Sequence, residues 1–122
     1  MGRQLSAHFN EDELRCRCGC GGLIVSPRLV DVLEAARQEY EQPIVISSGY
    51  RCPAYNATLG GGPEHPRGEA ADIKCLSDPE RMKLIRILTG LGVRRIGIGP
   101  NFIHVGVSTA LDQDVMWTYY HK

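Results

Sequence analysis

Residues 65–72 read His65-Pro66-Arg67-Gly68-Glu69-Ala70-Ala71-Asp72, and a further histidine follows in Phe102-Ile103-His104-Val105. Imidazole and carboxylate side chains are common zinc ligands. Two imidazoles and one carboxylate leave the fourth position of a tetrahedral zinc open, which is the arrangement of catalytic rather than structural sites. The sequence therefore predicts one zinc site formed by His65, Asp72 and His104.

Two main helices are predicted around this segment. Ser26-Pro27 begins the first, which ends before Gln42-Pro43, and Ser77 begins the second, which runs to about Leu91. A short capped helix is predicted over residues 10–14. Apolar residues recur at helical spacing on one face of each main helix and are expected to face the core. These residues are Leu29, Leu33, Ala36 and Tyr40 in the first helix, and Leu84, Ile85, Leu88 and Leu91 in the second.

Four segments rich in β-branched or small apolar residues are predicted to be strands: residues 43–48, 70–74, 95–98 and 102–107. Gly99-Pro100-Asn101 joins the last two as a hairpin. Residues 49–68 are predicted to form a long loop with at most one helical turn. The pattern favours a single α+β domain over residues 1–122, with a small antiparallel sheet and two main helices packed on it.

The predicted ligands can meet in such a fold. Pro66 and Gly68 allow the chain to bend back between His65 and Asp72. Directly opposed residues on adjacent antiparallel strands bring their Cβ atoms within about 5 Å. A loop histidine, a strand aspartate and a histidine on a neighbouring strand can therefore lie on one face of the sheet.

Composition and charge argue against two classes of partner. Fourteen basic residues balance fourteen acidic ones among the 122 residues, so no strong field would attract nucleic acid or an anionic membrane. No apolar run approaches the roughly 20 residues of a membrane span, and the first residues lack the apolar stretch of a secretory signal. We expect a soluble monomer that is synthesised in the cytoplasm, with no nucleic-acid partner and no membrane insertion.

Five cysteines, an odd number, cannot all pair within one chain. Cys16, Cys18 and Cys20 alternate with other residues, which is more crowded than the usual spacing of zinc-binding cysteine pairs. Reduced thiols, one disulfide, or a second, structural zinc that also uses Cys52 or Cys75 all remain open. A small metal domain centred on residues 16–20, with the histidines incidental, is a further alternative.

The ordered motifs resemble a known family. Residues 65–72 read His-x-x-Gly-x-Ala-x-Asp, residues 47–53 read Ser-Ser-Gly-Tyr-Arg-Cys-Pro, and a strand histidine follows at position 104. This set resembles the zinc D-alanyl-D-alanine carboxypeptidases and their endolysin relatives, which share a fold with the hedgehog signalling domain. The segment from Phe9 through Glu13-Leu14-x-Cys16-x-Cys18-Gly19-Cys20, and Trp117-Thr118-Tyr119, are similar to the small phage and bacterial branch.

The resemblance implies a zinc peptidase that hydrolyses peptidoglycan stem peptides near D-alanine, as a D,D-carboxypeptidase or a crosslink endopeptidase. It implies zinc-ligand roles for His65, Asp72 and His104. It also implies that Arg51 faces the site and binds a substrate carboxylate or polarises the scissile carbonyl, for which a planar guanidinium is well suited. Action at the cell wall by a phage-type lysis route would fit such an enzyme.

The sequence departs from the family at the general base. Relatives place a carboxylate three residues before the last histidine or two residues after it, and here those positions hold Asn101 and Gly106. The base is therefore unknown. Four other acidic residues lie near the site in sequence and any of them could fold over it, although each is expected rather to be a solvated surface charge; these are Glu64, Glu69, Asp112 and Asp114. The departure leaves a second hypothesis, a non-catalytic zinc module of the same fold that binds cell-wall fragments or a protein partner.

Overall fold

A computed structural model describes residues 2–119. In chain order its elements are α1 (Glu11–Leu14), α2 (Pro27–Tyr40), β1 (Ile46–Ser48), α3 (Pro53–Leu59), a 3₁₀ turn (His65–Arg67), β2 (Ala70–Lys74), α4 (Asp78–Gly90), β3 (Arg95–Ile98), β4 (Phe102–Gly106) and β5 (Val115–Thr118). The α+β fold class predicted from the sequence is confirmed.

Local capping explains where the helices begin. Asn10 accepts the backbone N–H of Asp12 at 2.9 Å, and Glu13 accepts the N–H of Asn10 at 2.8 Å, so α1 has a reciprocal cap. Ser26 caps α2 and is followed by proline, and Ser77 caps α4 in the same way as a side-chain acceptor. All three helices predicted from the sequence are present.

One apolar core joins α2 and α4 to the sheet. The four α2 residues predicted to face inward are all buried, as are Leu84 and Leu88 of α4, whereas Ile85 and Leu91 are partly buried against the same core. The central strands contribute Ile73, Ile103 and Val105 from their helix-facing side. Within residues 2–119, no helix is both long enough and apolar enough to cross a membrane.

The sheet has the order β1-β2-β4-β3-β5. β2 and β4 lie next to each other at its centre, antiparallel, with Asp72 directly opposite His104. β3 pairs with the other edge of β4 and places Gly97 opposite His104. The register therefore brings two of the predicted ligands together without any contribution from a loop.

Three features of the fold differ from the prediction. β5 was not predicted, and it pairs parallel to β3 from Arg95–Val115 to Ile98–Thr118, so the sheet is mixed rather than wholly antiparallel. The predicted loop contains the two-turn helix α3 (Pro53–Leu59). The residue that caps its C-terminus, Gly60, has a left-handed backbone conformation. β1 is shorter than the strand predicted over residues 43–48.

Candidate metal centre

The structure brings the three predicted zinc ligands together. His65 begins the 3₁₀ turn, Asp72 lies in the middle of β2 and His104 in the middle of β4. Each side chain is buried, and one potential ligand atom from each lies within 4.8 Å of the other two. The loop histidine reaches the sheet because the chain turns back at Gly68, as the bend at Pro66 and Gly68 predicted.

The donor set fits zinc. Asp72 Oδ1 lies 3.4 Å from His65 Nε2 and 3.3 Å from His104 Nδ1. Ligand atoms about 2.0–2.1 Å from a tetrahedral zinc are about 3.3–3.4 Å apart, which matches both separations. Within residues 2–119, no group forms a hydrogen bond with the buried Asp72 Oδ1, and such an atom is costly unless something else satisfies it. A cation at this point would satisfy it.

The remaining ring nitrogens hold both imidazoles in place. His65 Nδ1 lies 2.7 Å from the carbonyl oxygen of Gly49, and His104 Nε2 lies 2.8 Å from Glu64 Oε1. These oxygens accept, so each ring donates from that nitrogen and leaves the other one as a lone pair. The free lone pairs are then on His65 Nε2 and His104 Nδ1, the two atoms next to Asp72. Metal-bound histidines usually have such outer partners.

Charge in the site also favours a cation. Burial raises the pKa of the Asp72 carboxyl, but the adjacent imidazoles of His104 and His65 outweigh it and hold this pKa well below its usual value. Burial lowers the pKa of His104, yet the carboxylates of Asp72 and Glu64 outweigh this and raise it. The two carboxylates thus stay ionised and stabilise positive charge between them.

Glu64 was expected to be a solvated surface charge, and this prediction is wrong. The residue is 2% exposed. One of its oxygens accepts from His104; the other lies 3.1 Å from Arg95 Nε and 3.3 Å from the backbone nitrogen of Ser108. Burial opposes its ionisation, but the hydrogen bond from His104 and the charge of Arg95 lower its pKa overall. Asp112 and Asp114 are exposed, as expected.

Gly106 explains why Glu64 fits in the interior. A Cβ atom at position 106 would lie 2.3 Å from Glu64 Oε2 and 2.5 Å from Oε1. Any side chain there would therefore overlap the Glu64 carboxylate. Position 106 is one of the two at which the family resemblance implies a carboxylate; it holds a glycine here, and the space above it is filled by the carboxylate of Glu64, the residue before His65.

Arg51 lies beside the site and is bound to one of its predicted ligands. Its Nη2 donates to Asp72 Oδ2 at 3.1 Å, its Nε to Ser48 Oγ at 3.0 Å and its Nη1 to Asn56 Oδ1 at 3.2 Å. These bonds fix the guanidinium and orient the Asp72 carboxylate so that Oδ1 faces the histidines. Three of the five N–H groups of a guanidinium are thereby engaged.

The bend that brings His65 next to Asp72 and His104 depends on glycine at position 68. This residue has φ +69°, and a Cβ atom on it would lie 2.3 Å from the carbonyl oxygen of Ile24. Its own carbonyl accepts the N–H of Ser26 at 2.8 Å. The ligand loop is thus packed against the segment that leads into α2, with no room for a side chain at the contact.

Gly68→Ala is expected to destabilise the protein much more than Gly60→Ala. Gly60 has a similar φ of +65° but open space around its missing side chain, so alanine there costs only the left-handed strain, about 1–2 kcal/mol. At position 68 overpacking adds about 1–3 kcal/mol. Denaturant unfolding of the two variants measures the difference, and equal losses would show that the contact with Ile24 is not tight.

A cavity of about 670 Å³ opens onto the predicted ligands. Residues 59–63 form one side of it and the guanidinium groups of Arg51 and Arg95 lie in its wall. Aromatic rings form the opposite side; they belong to Phe102, Trp117 and Tyr119. The unpredicted strand β5 supplies Trp117, whose ring centroid lies 5.2 Å from that of His104 and which fills the space above Gly97.

Four of the five cysteines form a separate cluster. Sγ atoms of Cys16, Cys18, Cys20 and Cys52 lie within 4.8 Å of one another. Cys75 is not part of it, because this residue is buried in the core beyond the end of β2, where its thiol donates to the carbonyl of Ser77. None of the five is in a disulfide in this structure.

Comparison with known proteins identifies one family. The family model described as Peptidase M15 matches residues 7–106, which include α1, the predicted ligands and Gly106. A search among curated proteins returned no match. The matched range covers most of the chain and contains all three predicted zinc ligands.

Proposed function

This chain belongs to the Peptidase M15 family, whose members are zinc-dependent peptidases, and on that premise we propose that it hydrolyses peptidoglycan stem peptides near D-alanine. His65, Asp72 and His104 are the proposed zinc ligands. The observation that carries the proposal is Asp72 Oδ1, a buried oxygen that faces one lone pair on each histidine and finds no hydrogen-bond partner in the part of the chain that the structure describes. Such an atom is satisfied by a cation, and its neighbours match the separations around zinc.

Zinc bound here would polarise a scissile carbonyl and lower the pKa of a bound water toward about 7. The protein's own residues determine how well the site is held. Glu64 fixes the His104 ring through Nε2, the Gly49 carbonyl fixes the His65 ring, and Arg51 fixes the Asp72 carboxylate. Each ligand is therefore positioned by a group outside the metal's immediate surroundings, which is the arrangement that maintains metal affinity.

The cavity supports a short peptide as the substrate. Its volume of about 670 Å³ is within the usual range for small-ligand sites, roughly 300–1,000 Å³. The aromatic wall offers contact area, and the N–H groups of Arg51 that no protein acceptor engages are suited to a terminal carboxylate. The choice of peptidoglycan comes from the sequence motifs, whereas the cavity supports a small, anionic-ended peptide in general.

One observation favours the non-catalytic alternative. Among residues 2–119, the carboxylates that line the cavity belong to Asp72 and Glu64, and Glu64 already contacts His104, Arg95 and Ser108. A general base normally lies within hydrogen-bond reach of the proton it takes. A zinc module that binds a wall peptide without cutting it would need no such base.

Incubation of zinc-loaded protein with purified muropeptides, analysed by mass spectrometry, tests the proposal. We expect loss of a terminal D-alanine or cleavage of a crosslink next to D-alanine, and no product after the zinc is chelated. Binding of the same muropeptides without any product, measured by calorimetry on the zinc-loaded protein, would favour the binding module. If the protein neither binds nor cleaves the muropeptides, peptidoglycan is rejected as the substrate.

A further inference from the structure

The cysteine cluster lies where two distant segments of the chain meet. Cys16, Cys18 and Cys20 follow α1, and Cys52 immediately precedes α3. The backbone joins the same two segments, since the N–H of Tyr50 donates to the carbonyl of Leu14 at 2.8 Å. Gly49 is also in close contact with the Leu14 backbone. The cluster therefore lies at the contact between these two segments.

The four sulfur atoms are spaced as ligands of one ion. Cys18 Sγ lies 3.4 Å from Cys16 Sγ and 3.8 Å from Cys52 Sγ. Thiolates about 2.3 Å from a tetrahedral zinc are about 3.8 Å apart. All four sulfurs lie within 4.8 Å of one another, so changes of at most about 1 Å would bring every pair to this separation.

The backbone conformation allows the closely spaced Cys16, Cys18 and Cys20 to share one ion. Gly19 has φ +92° and Gly21 has φ +77°, conformations that other residues rarely adopt. Alternate cysteines of an extended chain would lie on one face about 6.6 Å apart, and these turns bring their sulfur atoms closer together. The N–H of Cys16 then donates to the carbonyl of Gly22 at 3.0 Å and closes the turn.

Two backbone N–H groups donate to sulfur atoms of the cluster. The N–H of Cys52 donates to Cys16 Sγ and the N–H of Gly22 donates to Cys20 Sγ, both at 3.3 Å. A hydrogen bond donated to a sulfur atom favours its ionised form. The thiolate is the form that binds a metal.

We propose that Cys16, Cys18, Cys20 and Cys52 bind a second, structural zinc ion. Four protein ligands leave no open position, so this site holds the fold and performs no hydrolysis. Binding converts four thiols to thiolates and releases their protons without any change of oxidation state. The ion would clamp the segment after α1 to residue 52 and so support the adjacent Arg51, which orients Asp72.

The two proposed metal sites share no residue, so they can be tested separately. Zinc in the reduced, purified protein is measured by mass spectrometry, and the expected content is two ions per chain. Cys18→Ser/Cys20→Ser is expected to lose one ion, and His65→Ala the other. Cys75→Ala is the matched control because its thiol lies outside the cluster, and both ions should remain.

Cobalt substitution identifies the type of ligand by a second, spectroscopic measurement. We expect the wild-type protein loaded with cobalt to show intense sulfur-to-cobalt charge transfer, and His65→Ala to retain it. One ion per chain in the wild type, lost on His65→Ala, would overturn the second site while leaving the first intact. A disulfide among the four cysteines, found by alkylating the unreduced, denatured protein, would also overturn it.

Discussion

Replacing His65 with alanine is expected to remove zinc from the site with Asp72 and His104 and to abolish hydrolysis. The variant loses one of three ligands and leaves Asp72 Oδ1 facing a single histidine. Without the metal, the pKa of the attacking water returns toward about 15.7, so we expect activity on muropeptides to fall by more than about 10³-fold. Zinc content and muropeptide turnover of the same preparation measure both effects.

His8→Ala is the matched control for this prediction. His8 is an exposed histidine that contacts Glu34 at 2.6 Å, away from the cavity. Its replacement removes an imidazole from the chain without touching the proposed site, and zinc content and turnover should stay at wild-type values. Undiminished turnover in His65→Ala would contradict the assignment of this histidine as a ligand.

Gly106→Asp is expected to destabilise the protein strongly, although position 106 is one at which the family resemblance implies a carboxylate. Its Cβ atom would lie 2.3 Å from Glu64 Oε2, and its carboxylate would be buried next to another one. An uncompensated buried charge costs about 3–5 kcal/mol. We expect a reduction of the free energy of unfolding by about that amount in denaturant titrations.

A second substitution distinguishes this explanation from a general intolerance of position 106. In Glu64→Ala/Gly106→Asp, the space that Glu64 occupied becomes available to the new aspartate, and most of the lost stability should return. Gly62→Asp controls for the added charge, because nothing lies within 4 Å of its missing side chain. If the double variant is less stable than Gly106→Asp alone, the two positions do not share one space.

The sequence predicts those parts of the fold that local chemistry determines. The serine caps and the spacing of apolar residues predict α2 and α4 because both signals act within a few residues of each other. β5 carries a weaker signal, because Val115–Thr118 is only four residues long and its side chains are half-buried or exposed. Its parallel pairing with β3 depends on the whole sheet, which no local pattern encodes.

The predicted ligands converge because the register of β2 and β4 and the bend at Gly68 follow from turn and strand signals in the sequence. The role of Glu64 was missed because its partner His104 is 40 residues away and a glutamate beside a loop histidine is usually solvated. A usable signal was present: the chain lacks a carboxylate at position 106 and has one beside His65. That a carboxylate at position 64 fills the space beside position 106 can be recognised only once the structure shows that the two positions share this space.

The cysteine cluster also depends on contacts between distant residues, which local sequence patterns do not reveal. Alternating spacing in residues 16–20 argued against a shared ion, and two glycines with positive φ are what make the sulfurs converge. The fourth sulfur belongs to Cys52, 36 residues after Cys16. The sequence therefore left the choice between Cys52 and Cys75 open, whereas the fold brings only the former to the cluster.

The most direct measurement is a crystal structure of the zinc-loaded protein with anomalous scattering recorded at the zinc absorption edge. We predict a peak about 2.0–2.2 Å from His65 Nε2, Asp72 Oδ1 and His104 Nδ1, with solvent or substrate as the fourth ligand. A site without zinc at these three atoms, or with a fourth protein side chain in the open position, would contradict the proposed hydrolase.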